Sequence, residues 1–163
     1  MECNRFTFPI QESSSSSLPI HIVDIPGSQK FSSEIAALIP DAKLVIFMID
    51  ANDFKVAESG SMLFKNILCN EHFLREKLPL LIVGNKVESN HKTVISNLKG
   101  LLESEITSLA LAYEEEHGGD EAIRVQRIFN DSHSFSFDEH DASFLAGSVL
   151  KSDFVEEIKE FIF

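Results

Sequence analysis

Two uninterrupted apolar runs fix most of what this chain can fold into. Leu44-Val45-Ile46-Phe47-Met48-Ile49 ends at Asp50, and Leu78-Pro79-Leu80-Leu81-Ile82-Val83-Gly84 ends at Asn85. Successive strand residues point to opposite faces, so a strand that is apolar throughout must be covered on both sides. That is the situation of a strand in a parallel sheet between two layers of helix. A third run, Pro19-Ile20-His21-Ile22-Val23, ends at Asp24-Ile25-Pro26-Gly27. All three turn polar at the carboxyl end, the edge of an α/β sheet where ligand-binding groups emerge.

The remaining segments fit between these strands. Arg5 to Gln11 alternates Phe6, Phe8 and Ile10 with polar residues, the period of a strand with one buried face. Across the serine-rich link Glu12–Ser17 it predicts a hairpin with residues 19–24. Ser28 to Leu38 reads as a short helix stopped by Pro40, and Phe54 to Phe73 as a helix weakened at Gly60. From Val94 to Tyr113, apolar residues at 94, 95, 98, 101, 102, 106, 109 and 113 follow a period near 3.6, the mark of a helix with one apolar face. The acidic run Glu114–Glu121 reads as a solvated helix end and loop. Residues 123–137 look irregular, with at most one short strand; Ala142–Ala146 is the last strand and Asp153–Phe163 the last helix. The order β-β-α-β-α-β-α-β-α predicts a doubly wound α/β domain over residues 1–163.

Composition narrows the chemistry. A net charge of −12 repels nucleic acid and anionic lipid over most of the surface, so no direct nucleic-acid contact is expected. Cys3 and Cys69 form neither a metal-ligand spacing nor a disulfide framework, which suits a reducing compartment. No apolar stretch approaches the roughly 20 residues of a membrane-spanning helix. Fourteen Phe against one Tyr and no Trp suit a dry core or a partner-facing patch. The six histidines have no metal spacing, and His133 and His140 read as surface residues. Asp138, Glu139 and Asp141 read as a solvated turn.

Two of the strand ends have the makings of a guanine-nucleotide site. In Asn85-Lys86-Val87-Glu88 the carboxylate of Glu88 can accept from two ring donors of guanine, a pairing that adenine would leave incomplete. Asn85 would tie neighbouring loops together, and the Lys86 stem would lie along the base. Upstream by 61 positions (85 − 24), Asp24 would hold Mg²⁺ through water, and the Gly27 amide would approach the terminal phosphate. Ser148 and Val149, in Ala146-Gly147-Ser148-Val149, offer backbone that faces the base from the other side. The plainer reading makes each tetrapeptide an ordinary polar turn after a strand. No Gly-x-x-x-x-Gly-Lys-Ser/Thr phosphate loop precedes Asp24.

Together these segments resemble the signal recognition particle receptor beta subunit family of Ras-like GTPases. The likeness runs from Met1-Glu2-Cys3-Asn4 through Ile22–Gly27, Leu44–Ala51 and Leu80–Lys86 to Phe135-Ser136-Phe137 and Val155–Ile162. The long stretch between Glu88 and Ala142 matches the extended spacing of that family. The resemblance implies GTP binding, a heterodimer with the receptor alpha subunit, and a part in co-translational targeting at the cytosolic face of the endoplasmic reticulum membrane. Two departures stand inside the motifs: Ser28 occupies a position where the family motif usually has His, and Glu88 one where it usually has Asp. The family's membrane anchor, first strand, phosphate loop and first helix would all lie upstream of Met1. The expected fold is therefore a three-layer Ras-like sandwich without those parts, with GTP binding weak or lost and no hydrolysis. The membrane would be reached through a partner or such an anchor, and the chain alone would be cytosolic. A nucleotide-free pseudo-GTPase scaffold, or a truncated product without function of its own, are the alternatives. The missing central strand leaves two outcomes: the strands ending at Asp24 and Asp50 pair directly, or a slot stays open between them. Either way a marginal, association-prone monomer is expected.

Overall fold

The computed structural model describes residues 2–8, 19–52, 56–117, 119, 123, 125–129, 134–152 and 154–162. Expectations for Ile10, Gln11, the link Glu12–Ser17, Phe54, Asp120, Glu121, His133, Asp153 and Phe163 lie outside the described residues. Among the described residues five strands occur: β1 Asn4–Phe8, β2 Ile20–Asp24, β3 Val45–Asp50, β4 Leu80–Asn85 and β5 Ala142–Ala146. Helices with described bounds include α1 Ser32–Leu38, α2 Val56–Leu63, α3 Glu71–Glu76, α4 His91–Glu116 and α5 Val155–Ile162.

The strands β3, β4 and β5 form a parallel sheet in that order, with β4 in the middle. Leu80, Leu81, Ile82 and Val83 of β4 are fully buried, as its uninterrupted apolar sequence requires. Its two faces feed two cores. Leu80 and Ile82 pack with Phe64 and Leu68, with Leu102 and Ile106 of α4, and with Phe135 and Phe137. Leu81 and Val83 pack on the other face with Phe154, Ile158 and Phe161 around α5. The second layer is thinner, since no residue of α5 itself is buried. Helices on both faces make the domain a three-layer α/β sandwich.

Direct pairing of the strands ending at Asp24 and Asp50 is not observed. Among the described residues, β1 and β2 pair only with each other, antiparallel from Asn4 opposite Asp24 to Phe8 opposite Ile20. They form their own two-stranded sheet, and β3 ends the three-stranded one. Met48 on β3 and Ile22 on β2 are 50% and 40% exposed, although their sequences are those of covered strands.

The helices depart from the sequence in informative places. The expected helix over 54–73 is two pieces: α2 runs on as a π-helical turn, Phe64–Leu68, and α3 starts afresh at Glu71. Asn70 makes the break, its side chain accepting from the amides of His72 at 3.0 Å and Phe73 at 3.2 Å as an N-cap. Pro40 does not simply stop α1 but sits inside a 3₁₀ turn, Ile39–Asp41, at an early position where a missing N–H costs nothing. The apolar face of α4 narrows to Leu98, Leu102, Ile106 and Ala110, spaced by four, while Leu101 is 55% exposed. His140, read as a surface residue, is half-buried: its ring nitrogen Nε2 lies 3.0 Å from the carbonyl oxygen of Ile128, and its ring stacks on Phe135. No strand occurs among the described residues of 123–137.

Candidate functional site

The carboxyl ends of β3, β4 and β5 are tied into one surface by backbone bonds that outrun the strands. The Ala51 amide donates to the Asn85 carbonyl at 3.0 Å, Gly147 to Gly84 at 3.0 Å, and Val87 to Gly147 at 2.9 Å. Parallel pairing puts Asp50 level with Asn85 and Gly84 level with Ala146. Polar residues far apart in sequence therefore emerge side by side.

Asn85 is the hub. Its side-chain oxygen accepts from the Lys86 amide at 2.8 Å and from the Val149 amide at 3.1 Å, 64 positions away. Tying these loops together is the role its sequence position suggested. Lys86 has a positive φ of 67°, a left-handed conformation that costs a non-glycine residue about 1 kcal/mol or more. Three bonds over-determine it: the Asn85 oxygen on its amide, the Asn52 side-chain nitrogen on its carbonyl at 2.7 Å, and its Nζ on Asp50 at 2.5 Å. The Lys86 ammonium, aided by the Asn52 amide, holds the Asp50 carboxyl below its ordinary pKa. Glu88 leaves the turn exposed, its Oε2 3.3 Å from the Nζ of Lys151. Ser148 is the buried polar residue of the neighbouring turn, and its carbonyl accepts from the amides of Lys151 at 3.0 Å and Ser152 at 2.9 Å.

Five of the predicted residues, Asn85, Lys86, Glu88, Ser148 and Val149, thus meet on one edge. The Val149 amide is directed to the Asn85 side-chain oxygen. Asp24 and Gly27 belong to the separate hairpin. Asp24 is exposed, and its Oδ2 accepts from the Asn4 side chain at 3.2 Å. A Cβ added at Gly27 would meet nothing within 4 Å, so no packing in the folded chain demands glycine there. Ser28 is half-buried, its amide on the Pro26 carbonyl at 2.8 Å and its own carbonyl accepting from Phe31 at 3.0 Å as a 3₁₀ turn begins. No group of three or more His, Cys, Asp or Glu that could hold a metal occurs among the described residues. The single carboxylate of Asp24 suits only an ion that brings most of its ligands with it, as Mg²⁺ on a phosphate does.

Asp50, Asn52 and Lys151 were missed in the sequence. Asp50 carried a usable signal, because it ends an apolar run just as Asp24 and Asn85 do. Lys151 carried none; only the fold brings it to Glu88 across 63 positions (151 − 88).

The chain is 25% identical over 157 residues to the signal recognition particle receptor subunit beta of Dictyostelium discoideum, covering 86% of this chain and 52% of the relative. It therefore spans about half the length of the curated relative it matches. A solved structure of similar fold is that of the signal recognition particle receptor SRb-GTP/SRX complex from Chaetomium thermophilum, with a TM-score of 0.61 at 17% identity, over 91% of this chain and 71% of that one. No helix among the described residues is long and apolar enough to cross a membrane. The family model for the signal recognition particle receptor beta subunit matches residues 7–144, most of the chain, and to that family this chain belongs.

Proposed function

We propose that the chain binds a guanine nucleotide at the carboxyl edge of β4 and β5 and acts through protein contact with a receptor alpha subunit in co-translational targeting to the endoplasmic reticulum. The observation that carries this reading is the convergence of Asn85, Lys86 and Glu88 with the Ser148–Val149 turn, held by the Asn85 oxygen. A solved relative of the same fold is described as an SRb-GTP/SRX complex, which supports both the nucleotide and a partner of the alpha-subunit kind. Glu88 accepts from the guanine ring, Asn85 braces the loops and Lys86 flanks the base. Asp24 would reach Mg²⁺ through water, and Gly27 leaves room for phosphate. Backbone donors at a helix start normally carry much of the affinity for a triphosphate, and these residues include no phosphate loop. Binding is accordingly weak, and Ser28 supplies no imidazole to assist hydrolysis.

A second reading, a nucleotide-free scaffold, is favoured by the way the site satisfies itself. Glu88 is paired with Lys151, the Val149 amide with Asn85, and Asp24 with Asn4. Calorimetric titration with GTP and Mg²⁺ separates the two. A micromolar or tighter constant removes the scaffold reading, and no heat at millimolar nucleotide removes the first. Glu88→Ala is expected to abolish preference for guanine over adenine nucleotides; unchanged selectivity would take Glu88 out of the site.

A further inference from the structure

We propose that Lys151 is a specificity-determining residue for the base, donating from Nζ to the six-position carbonyl of guanine while Glu88 accepts from the adjacent ring N–H groups. The inference rests on the guanine-nucleotide reading above and concerns how that site tells bases apart. Lys151 Nζ stands 3.3 Å from Glu88 Oε2, both side chains being at least half exposed, so the pair is open to solvent. Their roots are fixed by different turns. Val87, beside Glu88, is bonded to Gly147, and the Lys151 amide closes a turn onto Ser148 at 3.0 Å. The left-handed Ser152, with φ 54°, ends that turn.

The donor that the turn might otherwise offer a base carbonyl, the Val149 amide, is committed to Asn85 at 3.1 Å. The Lys151 ammonium, paired with Glu88, is the donor proposed in its place. An ammonium only donates and a carboxylate only accepts, so the pair has a fixed polarity. The pairing edge of guanine offers an acceptor, O6, beside the donors N1–H and N2–H₂, complementary to a donor beside an acceptor. Adenine offers a donor at position six and an acceptor at N1, so each contact would be like against like. Without a base the two side chains hold one another and keep Glu88 turned towards the edge. A guanine inserting between them exchanges that one contact for bonds to both partners.

The test is calorimetric titration of the chain, with Mg²⁺, by GTP, ITP and 6-thio-GTP, comparing wild type with Lys151→Met and Lys151→Arg. Lys151 is exposed and its loss leaves no buried group unpaired, so the variants should fold; thermal melting checks this. Lys151→Met should weaken GTP about tenfold, the scale of one charge-assisted bond to a base edge. It should also erase the preference for GTP over 6-thio-GTP, whose sulfur accepts poorly. The preference for GTP over ITP, which reports on the exocyclic amine and Glu88, should survive, and Lys151→Arg should restore GTP binding. Unchanged GTP affinity in Lys151→Met, or undiminished discrimination against 6-thio-GTP, overturns the role of Lys151 alone. A wild-type chain that binds none of the three nucleotides overturns the guanine reading and this inference with it.

Discussion

Asn85 works through its oxygen, which alone receives two backbone donors from different turns. Asn85→Ala should therefore cost about 1–2 kcal/mol in thermal or urea unfolding, since it unpairs both amides at once. Asn85→Asp keeps an acceptor in place and should retain most of that stability; equal losses in the two variants would assign the effect to the amide nitrogen. Asp50 makes a prediction in pH. The Lys86 ammonium depresses its carboxyl pKa in the folded state, so its contribution is fully present above the unfolded value of about 4 and is lost as pH falls through the folded one. The melting temperature of wild type should consequently fall more steeply below pH 4 than that of Asp50→Asn, and parallel curves would show that the pair contributes nothing. At this scale the sequence was legible where chemistry is local. Asn85, Lys86 and Glu88 announce themselves by following an apolar strand. Lys151 does not, because its partner is set by the parallel register of β4 and β5.

Elements were legible wherever burial alone decides them. The runs that became β3 and β4 had one solution, and α4 carried enough turns for its period to stand out. Breaks within helices were harder to see, because they rest on single side-chain bonds such as the Asn70 cap. Gly60 has a second role that was hidden for a related reason. As sequence it is a flaw in a helix; in the fold it is the point where α2 meets α4, and an added Cβ would lie 2.7 Å from Glu105 Cγ and 3.3 Å from its Cβ. Gly100, in α4, is exposed with nothing within 4 Å of an added Cβ. The two glycines should thus respond oppositely to the same change. Gly100→Ala should stabilise by up to about 1 kcal/mol through helix propensity. Gly60→Ala gains the same propensity but must push the helices apart, a strain of about 1–3 kcal/mol, and should come out destabilising. Chemical denaturation of the two variants decides it, and a stabilised Gly60→Ala would mean that the α2–α4 contact relaxes without cost.

At the scale of the molecule the division between two sheets matters most, and it ties function to stability. The proposed base-side group stands at the ends of β5 and of β4, the strand buried along nearly its whole length, whereas Asp24 and Gly27 stand on the hairpin. Every residue of β1 is exposed, including Phe6 and Phe8, and an ion pair joins the hairpin to α1, Arg5 to Glu34 at 3.8 Å. An exposed pair of that kind contributes little, and a two-stranded hairpin without a covered face is marginal in water. Nothing in the residue pattern warned of this, because alternation in Arg5–Phe8 promises a buried face without saying what covers it. Local opening free energies range from near zero to the global value, which for a domain of this kind is at least about 5 kcal/mol. Amides of Arg5–Thr7 and His21–Val23 should therefore exchange roughly a thousandfold or more faster than those of Leu81–Val83 in native-state hydrogen exchange. If GTP with Mg²⁺ engages both halves of the proposed site, it should slow exchange in the hairpin as well as at Asn85–Glu88, because only a ligand bridging the two sheets stabilises the weaker one. Protection confined to Asn85–Glu88 would mean that the base is held and the phosphates are not. Hairpin amides already as protected as β4 without ligand would mean that the two sheets open as one cooperative unit.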